Sequence, residues 1–508
     1  MSGGDEHVEV EIKFDAGEDI NLPDLAEIPG VASIGRPVEQ HLSATYFDTP
    51  DLRLARHGIT LRRRTGGADD GWHLKHPKVD DARVEVHRPL GRSTRTPPRA
   101  LADLVRVHVR DTHLVAAATL TTHRLATPLL DARGAVLAEV ADDRVEGQVP
   151  GGGSPVTWRE IEVELVGGSR AILTAVGDRL RQAGAAPAGS SSKLARVLRT
   201  VGAPGPWADH DEPGAGSDAG SILRGHLAEQ VAALVRRDPL ARVDAPDAVH
   251  KMRVATRRLR SALATFRPLL DRASIEPVRD ELRWLGQVLG GPRDEEVMHA
   301  RLLDLLAAEP PDLVLGPVRR RVDIELRARH RTKHRALVAE LDGPRYFRLL
   351  DELDVLASQP LLTGRAIEPA VDVLPSLVAR TRGRLLGLAA EADAAATADA
   401  RAVALHDVRK AAKRSRYAGE AVAPVFGAKA TRFAAKMERL QEVLGEQQDS
   451  LVTRGVLREL GVQAHLAGEN GFAFGRLHGL EVGRAERAEA GYAEALAAVA
   501  GKPPRWLR

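Results

Sequence analysis

The 508-residue chain has no cysteine, which excludes disulfides, thiolate metal sites and cysteine nucleophiles. Aromatic residues are scarce: 8 Phe, 5 Trp and 4 Tyr make up 3% of the chain. Proteins that read single-stranded nucleic acid stack bases on aromatic platforms, so the composition argues against such a partner. No run approaches the roughly 18–20 apolar residues of a membrane helix. The opening stretch, MSGGDEH, is acidic and lacks the apolar core of a secretory leader. Net charge is almost absent as well, since 73 Lys and Arg face 70 Asp and Glu, leaving +3. A cytoplasmic protein without a membrane partner is the expectation. What is present is ordinary globular material, 43% hydrophobic and 28% charged. At about 150 residues per domain, this length predicts two to four domains.

The clearest break in the chain is 202–220, GAPGPWADHDEPGAGSDAG, with eight Gly or Pro and four acidic residues. This composition predicts a flexible linker over 202–219. Before it, short alternating segments are separated by turn-rich stretches. After it come long Ala/Leu/Arg-rich stretches with helical spacing. The expected fold is an α+β domain over 1–201 followed by an all-α domain over 220–508.

In the first half, charge repeats with period two. Val8-Glu9-Val10-Glu11-Ile12-Lys13-Phe14 places Glu9, Glu11 and Lys13 on one strand face and the apolar residues on the other. Glu160, Glu162 and Glu164 repeat the device. Arg62 with Arg64, His73 with Lys75, and Arg83 with Glu85 follow the same rule. Like charges about 5 Å apart repel by roughly 3 kcal/mol at an effective dielectric of 20. Two separate E-x-E runs are therefore poor neighbours unless a divalent cation or basic side chains lie between them. Carboxylates are hard ligands suited to Mg²⁺ or Mn²⁺, and Arg and Lys suit a phosphate chain. Together they point to metal-assisted phosphoryl chemistry.

These residues occur within an ordered set: Glu9-Val-Glu11-Ile-Lys13, Tyr46-Phe-Asp-Thr49, Leu61-Arg-Arg-Arg64, Leu74-Lys75, Thr122-His-Arg124, Ala138-Glu-Val-Ala-Asp-Asp143, the strand around Glu162, and Ser192-Lys-Leu-Ala-Arg196. In this set the first ~200 residues resemble the CYTH, or triphosphate tunnel metalloenzyme, family. The resemblance implies an antiparallel β-barrel tunnel with flanking helices, binding a triphosphate and a divalent metal, Mg²⁺ or Mn²⁺. By position, Glu9, Glu11, Glu162 and Glu164 would hold the metal, with Glu160 as the alternative to Glu164. Lys13, Arg62, Arg64, Lys75, Arg124, Lys193 and Arg196 would grip phosphates, and Asp142 would complete the metal shell or position water. Glu9, Glu11, Lys13 and Asp142 form the implied catalytic group, with Arg83 and Glu85 secondary.

The second half contains a duplication. His250-Lys-Met-Arg-Val-Ala-Thr-Arg-Arg-Leu-Arg260 aligns with His406-Asp-Val-Arg-Lys-Ala-Ala-Lys-Arg-Ser-Arg416, and LGQVLG at 285–290 aligns with LQEVLG at 440–445. A spacing this long indicates a doubled subdomain, approximately 220–360 and 370–500, rather than a solenoid. On a helix, His250, Arg253, Arg257 and Arg260 share a narrow arc opposite Met252, Ala255, Leu259, Leu263 and Phe266. A single-sign stripe, made twice, asks for an anion. The basic set is His250, Arg253, Arg257, Arg258 and Arg260, matched by His406, Arg409, Lys410, Lys413, Arg414 and Arg416. Asp294 and Asp449 read as structural partners of Arg across the bundle.

This half resembles the CHAD, or conserved histidine α-helical, domain. The resemblance implies two related helical bundles and polyphosphate as ligand, a polyanion that needs no stacking partner. The expected function is metal-dependent hydrolysis of inorganic triphosphate or short polyphosphate, with polyphosphate held by the helical domain and association with polyphosphate granules. A non-catalytic polyphosphate-binding or granule-targeting protein is the alternative reading, with adenylate cyclase and thiamine triphosphatase behind it.

Overall fold

The computed structural model describes residues 6–77, 82–152, 154–202 and 216–507, so most of the expected linker lies outside the described residues. The chain falls into two compact units that divide within 203–215.

The first unit is a closed antiparallel barrel of eight strands: β1 (Glu6–Ala16), β2 (Val38–Asp48), β3 (Thr60–Thr65), β4 (Gly71–Lys75), β5 (Ala82–Arg88), β6 (Val115–Leu130), β7 (Val136–Gln148) and β8 (Val156–Leu165). Their order around the wall is β1-β5-β4-β3-β2-β6-β7-β8, and β8 closes onto β1. The period-two pattern explains which face goes where. Val10, Ile12 and Phe14 point outward with Ile161 and Val163, against Val176 and Leu180 of α2 (Arg170–Gln182). Leu61, Trp72, Leu74 and Val86 are covered by Leu101, Val105 and Val109 of α1 (Arg99–Val109). The apolar faces therefore bury against helices outside the barrel, and the charged faces are left to line the lumen.

One stretch of lumen is apolar. Ala44, Leu120, Val145 and Trp158 face inward and pack on Leu194, Val197 and Leu198 of α3 (Lys193–Thr200). Gly147 makes room for this helix, since a Cβ there would lie 2.4 Å from Val197 Cγ2. Ser192 caps α3 by accepting from the Ala195 amide. The cap fixes Lys193 as the first helical residue.

The second unit is all helical. Its ten longer helices are α4 (Ala219–Arg242), α5 (Ala248–Thr265), α6 (Arg272–Val288), α7 (Gly290–Ala307), α8 (Val318–Leu341), α9 (Pro344–Ser358), α10 (Ala370–Asp393), α11 (Ala398–Ala421), α12 (Ala428–Leu466) and α13 (Phe472–Ala500). Met252, Ala255, Leu259 and Leu263 of α5, and Phe266 just after it, are all buried. The duplicated helices are α5 and α11. The segment after each differs: α6 and α7 correspond to the single 39-residue helix α12. Residues from α7, α8, α12 and α13 share a core around Leu302, Leu326, Leu460 and Phe474.

Candidate functional site: a charged tunnel and a basic cavity

Within the barrel, register brings the charged residues together. Glu11 is opposite Glu164 and Lys13 opposite Glu162. Glu9 is opposite Arg83, and Lys75 is opposite Glu85. A cavity of about 360 Å³ is lined by Glu9, Lys13, Arg62, Arg64, Lys75, Arg83, Glu85, Arg124, Glu162, Glu164 and Lys193, among others. Among the described residues, its one lining Phe, Trp or Tyr is Tyr46, whose hydroxyl accepts from Arg62 at 3.2 Å.

Two acidic groups share this lumen. Asp143, Glu160 and Glu162 are all buried, with one carboxylate oxygen from each lying within 4.8 Å of the others. Bases tie them: Lys193 reaches Asp143, Glu160 and Glu162 at 2.9, 2.7 and 2.8 Å, and Arg124 forks onto Asp143 while reaching Glu162 at 2.6 Å. Burial opposes the charge on Lys193, but Asp143, Glu162 and Glu160 outweigh it and hold the pKa well above the ordinary range. The second group is Glu9, Glu11 and Glu164. Lys75 holds Glu9 at 2.7 Å and Lys13 holds Glu11 at 3.1 Å. Burial first, then the neighbouring Glu9 and Glu11, push the Glu164 pKa up to about 7. Among the described residues, the carboxylate set whose oxygens converge closely enough to fit a hard divalent ion is Asp143, Glu160 and Glu162.

The Glu164 shift carries a pH dependence. Between its ordinary 4.5 and about 7 the folded chain binds more protons than the unfolded chain, so stability without metal falls as pH rises through that window. Divalent-ion affinity should rise over the same window as the carboxylate ionises. Glu164→Gln should flatten both slopes in thermal melts and metal titrations between about pH 5 and pH 8.

At the other side of the lumen, His73 is buried between Glu85 (2.7 Å) and the Asp69 carbonyl (2.9 Å). Burial, with Arg62 and Arg64 nearby, lowers its pKa to about 4 despite Glu85, so it serves as a neutral spacer among cations. Arg64 is pushed down to about 9 by burial and by Arg62 and Arg124. Arg64 also pairs with Asp69, and the mutual repulsion of Arg62, Arg64 and Arg124 favours entry of a further anion.

Two expected tunnel residues lie elsewhere. Asp142 points outward, opposite Ile161, where Arg159 grips both its oxygens at 2.8 Å and also donates to the Gly17 and Ile20 carbonyls. Its neighbour Asp143 faces the lumen instead. The reason is period two: Asp142 shares the face of Ala138 and Val140, and Asp143 that of Glu139. Asp143→Asn should therefore lower turnover steeply. Asp142→Asn should cost mainly stability, about 3 kcal/mol for breaking a buried pair, with catalysis near normal in the folded fraction. Arg196 is likewise outside the cavity, paired with Asp15 and lying 5.1 Å over the Trp158 ring. The alternative Glu160 and Glu164 both face inward, because residues 160, 162 and 164 share one parity.

In the helical unit, a cavity of about 290 Å³ is lined by Arg257, Arg260, Arg279, Arg283, Lys410, Lys413 and Arg414, with Ser261 and Tyr417. Its lining contains no acid. Burial, then Arg409, Arg257 and Arg253, lower the Lys413 pKa to about 7. Arg279 and Arg283 of α6 were not foreseen. Arg258 and Arg416 do not line this cavity: they converge on Glu420 at 2.8 and 2.7 Å and flank Tyr417. Arg253 pairs with Asp294 at 2.6 Å beside Gly290, and Arg409 lies 3.8 Å from Asp449 beside Gly445. These two contacts are copies of one another and belong to the bundle's framework. His250 and His406 are half-buried on the same helices. Burial lowers both, reinforced by Arg293 near His250 and by Lys410 and Arg409 near His406.

No helix among the described residues is long and apolar enough to cross a membrane. Comparison with known proteins gives the family. Residues 7–198 match the CYTH domain and residues 225–458 the CHAD domain. Uncharacterized proteins of Mycobacterium tuberculosis, from strains CDC 1551 / Oshkosh and ATCC 25618 / H37Rv, are 40% identical over 495 residues, covering 95% of this chain and 94% of theirs. Similar solved structures include PptA from Streptomyces chartreusis (23% identity, TM-score 0.46, 55% of this chain and 99% of that one). The CHAD domain from the plant Ricinus communis is similar at 24% identity and TM-score 0.45, over 57% of this chain and 94% of that one. The chain thus belongs to the CYTH family of metal-dependent enzymes acting on phosphoanhydride bonds, and it carries a CHAD domain after its tunnel.

Proposed function

We propose that the tunnel hydrolyses inorganic triphosphate or short polyphosphate with Mg²⁺ or Mn²⁺, and that the helical unit binds polyphosphate. One observation carries the reading: the charged cavity is lined, among the described residues, by facing carboxylates and cations, groups suited to bare phosphate oxygens rather than to an adenine or thiamine ring. Glu9, Glu11, Glu162 and Glu164, with Asp143 and Glu160, would hold the metal, which when bound neutralises charge on phosphate oxygens. Lys13, Arg62, Arg64, Lys75, Arg124 and Lys193 donate to the phosphate oxygens and orient the terminal group. Four of these bases, Lys13, Lys75, Arg124 and Lys193, are paired with lumen carboxylates. Binding metal and triphosphate together exchanges partners, so no buried charge is stranded. The carboxylate wall then orients the attacking water and takes its proton.

A phosphate-release panel tests this. Inorganic triphosphate, polyphosphate, thiamine triphosphate and ATP are each supplied with Mg²⁺ and with Mn²⁺. Inorganic triphosphate should give the highest kcat/KM, and removal of the divalent ion should abolish release. Cyclic AMP formation from ATP would replace the reading with a cyclase. Absence of turnover with every substrate and either metal would leave a binding protein.

A further inference from the structure

Two imidazoles and a carboxylate meet on the outer wall of the barrel. His41 of β2 and His123 of β6 are directly opposed across the antiparallel ladder. Their rings stack with centroids 4.9 Å apart and planes inclined by 26°. Glu39 precedes His41 by two residues and so shares its face. His123 Nε2 donates to Glu39 Oε1 at 2.6 Å, and His41 Nε2 lies 3.7 Å from the same oxygen. One donor atom from each of the three lies within 4.8 Å of the others. Gln40 and Arg124, of opposite parity, line the tunnel, so this cluster shares no side chain with the lumen.

A surface ion pair accounts for one histidine on Glu39. It does not account for a second imidazole at the same oxygen, where two protonated rings would repel one another. We propose that Glu39, His41 and His123 form a site for a borderline divalent transition ion, Zn²⁺ in first place. Two imidazole nitrogens with one carboxylate suit Zn²⁺, Cu²⁺ or Ni²⁺, whereas the all-oxygen lumen suits Mg²⁺ or Mn²⁺. Zn–ligand bonds of about 2.0–2.1 Å put tetrahedral donors roughly 3.3 Å apart. Reaching that geometry takes shifts of less than about 1 Å from the Glu39 contacts, and the exposed Glu39 side chain can turn to make them. Three protein donors leave a fourth position for water. Arg144, opposite His123 on β7, lies 3.5 Å from Glu18, which draws its charge aside. A bound ion would staple the β2–β6 rung next to Gln40 and Arg124.

Equilibrium dialysis of the full chain against micromolar Zn²⁺, with excess Mg²⁺ occupying the lumen, tests the site. The wild type should retain one more Zn²⁺ per chain than His41→Ala/His123→Ala. Each single variant should bind that ion at least about tenfold more weakly. Phosphate release with Mg²⁺ serves as the folding control and should be the same in all variants, because none of the three residues lines the charged cavity. Equal Zn²⁺ retention by wild type and double variant would overturn the proposal, as would no retention by the wild type.

Discussion

Glu162→Gln should lower kcat for triphosphate by roughly two to three orders of magnitude, the range lost when one preorganised electrostatic group is removed. Its carboxylate lies where three cations converge: Lys13 at 2.5 Å, Lys193 at 2.8 Å and Arg124 at 2.6 Å. Burial opposes its charge, yet these three neighbours hold its pKa well below the ordinary carboxylate range. Removing the charge frees the cations from an internal competitor. Triphosphate should therefore bind as well as before or more tightly, while the metal concentration needed for half-maximal rate rises. A fall in kcat without a rise in KM marks an interaction realised in the transition state. The substitution also takes one carboxylate from each of these cations, though Lys13 keeps Glu11, Lys193 keeps Asp143 and Glu160, and Arg124 keeps Asp143. The loss of stability should therefore stay below about 3–5 kcal/mol, the cost of a stranded buried charge. Added triphosphate should recover part of that loss, so the melting temperature should respond more to triphosphate in the variant than in the wild type. A kcat within threefold of wild type at saturating metal would remove Glu162 from the metal-binding set.

Much of this site was legible because strand periodicity is binary. Once Glu9, Glu11 and Lys13 share a face, Val10, Ile12 and Phe14 must share the other, and the barrel places the first set inside. Asp142 was misplaced for the same reason that made the rest readable. Adjacent acids in a strand point to opposite faces, and the phase had to be taken from Glu139 against Ala138 and Val140. Arg196 follows a helix cap rather than a strand, and the spacing from Lys193 does not reveal that α3 turns it toward Trp158. In the helical unit, the duplication revealed α5 and α11 but concealed Arg279 and Arg283. Their counterparts 155 residues later are Ala434 and Glu438, so the repeat carries no signal there. Each also has a local acid, Glu276 or Asp280, at 2.7 Å, which in sequence reads as a solvated helical pair. Arg258 and Arg416 look equivalent to the cavity bases in sequence. They differ in finding Glu420: Arg416 reaches it as an i,i+4 pair within its own helix, whereas Arg258 reaches it from a helix 162 residues away, a contact that no local pattern announces.

Arg257→Glu/Lys413→Glu should weaken polyphosphate binding at least a hundredfold while triphosphate hydrolysis stays within about twofold. At an effective dielectric near 20, reversing one charge about 5 Å from a phosphate changes the interaction by several kcal/mol, and 1.4 kcal/mol is already tenfold. Wild-type binding should weaken with salt, because the cavity holds its ligand by charge. The milder Lys413→Met separates ligand binding from stability. The amine's pKa of about 7 lies below its ordinary 10.5 because of burial and the cations around it. Between those values the unfolded chain binds more protons, so ligand-free stability rises with pH across the window. Lys413→Met should abolish that rise, increase the melting temperature of the ligand-free chain at pH 7, and weaken polyphosphate binding. Binding sites commonly trade stability in this way. Polyphosphate should then stabilise the wild type more than the variant, since a ligand stabilises in proportion to its affinity for the folded state. A ligand-free variant less stable than wild type would show that the Lys413 stem packs rather than merely carries charge. Joint loss of polyphosphate binding and triphosphate turnover would show that the two units act as one.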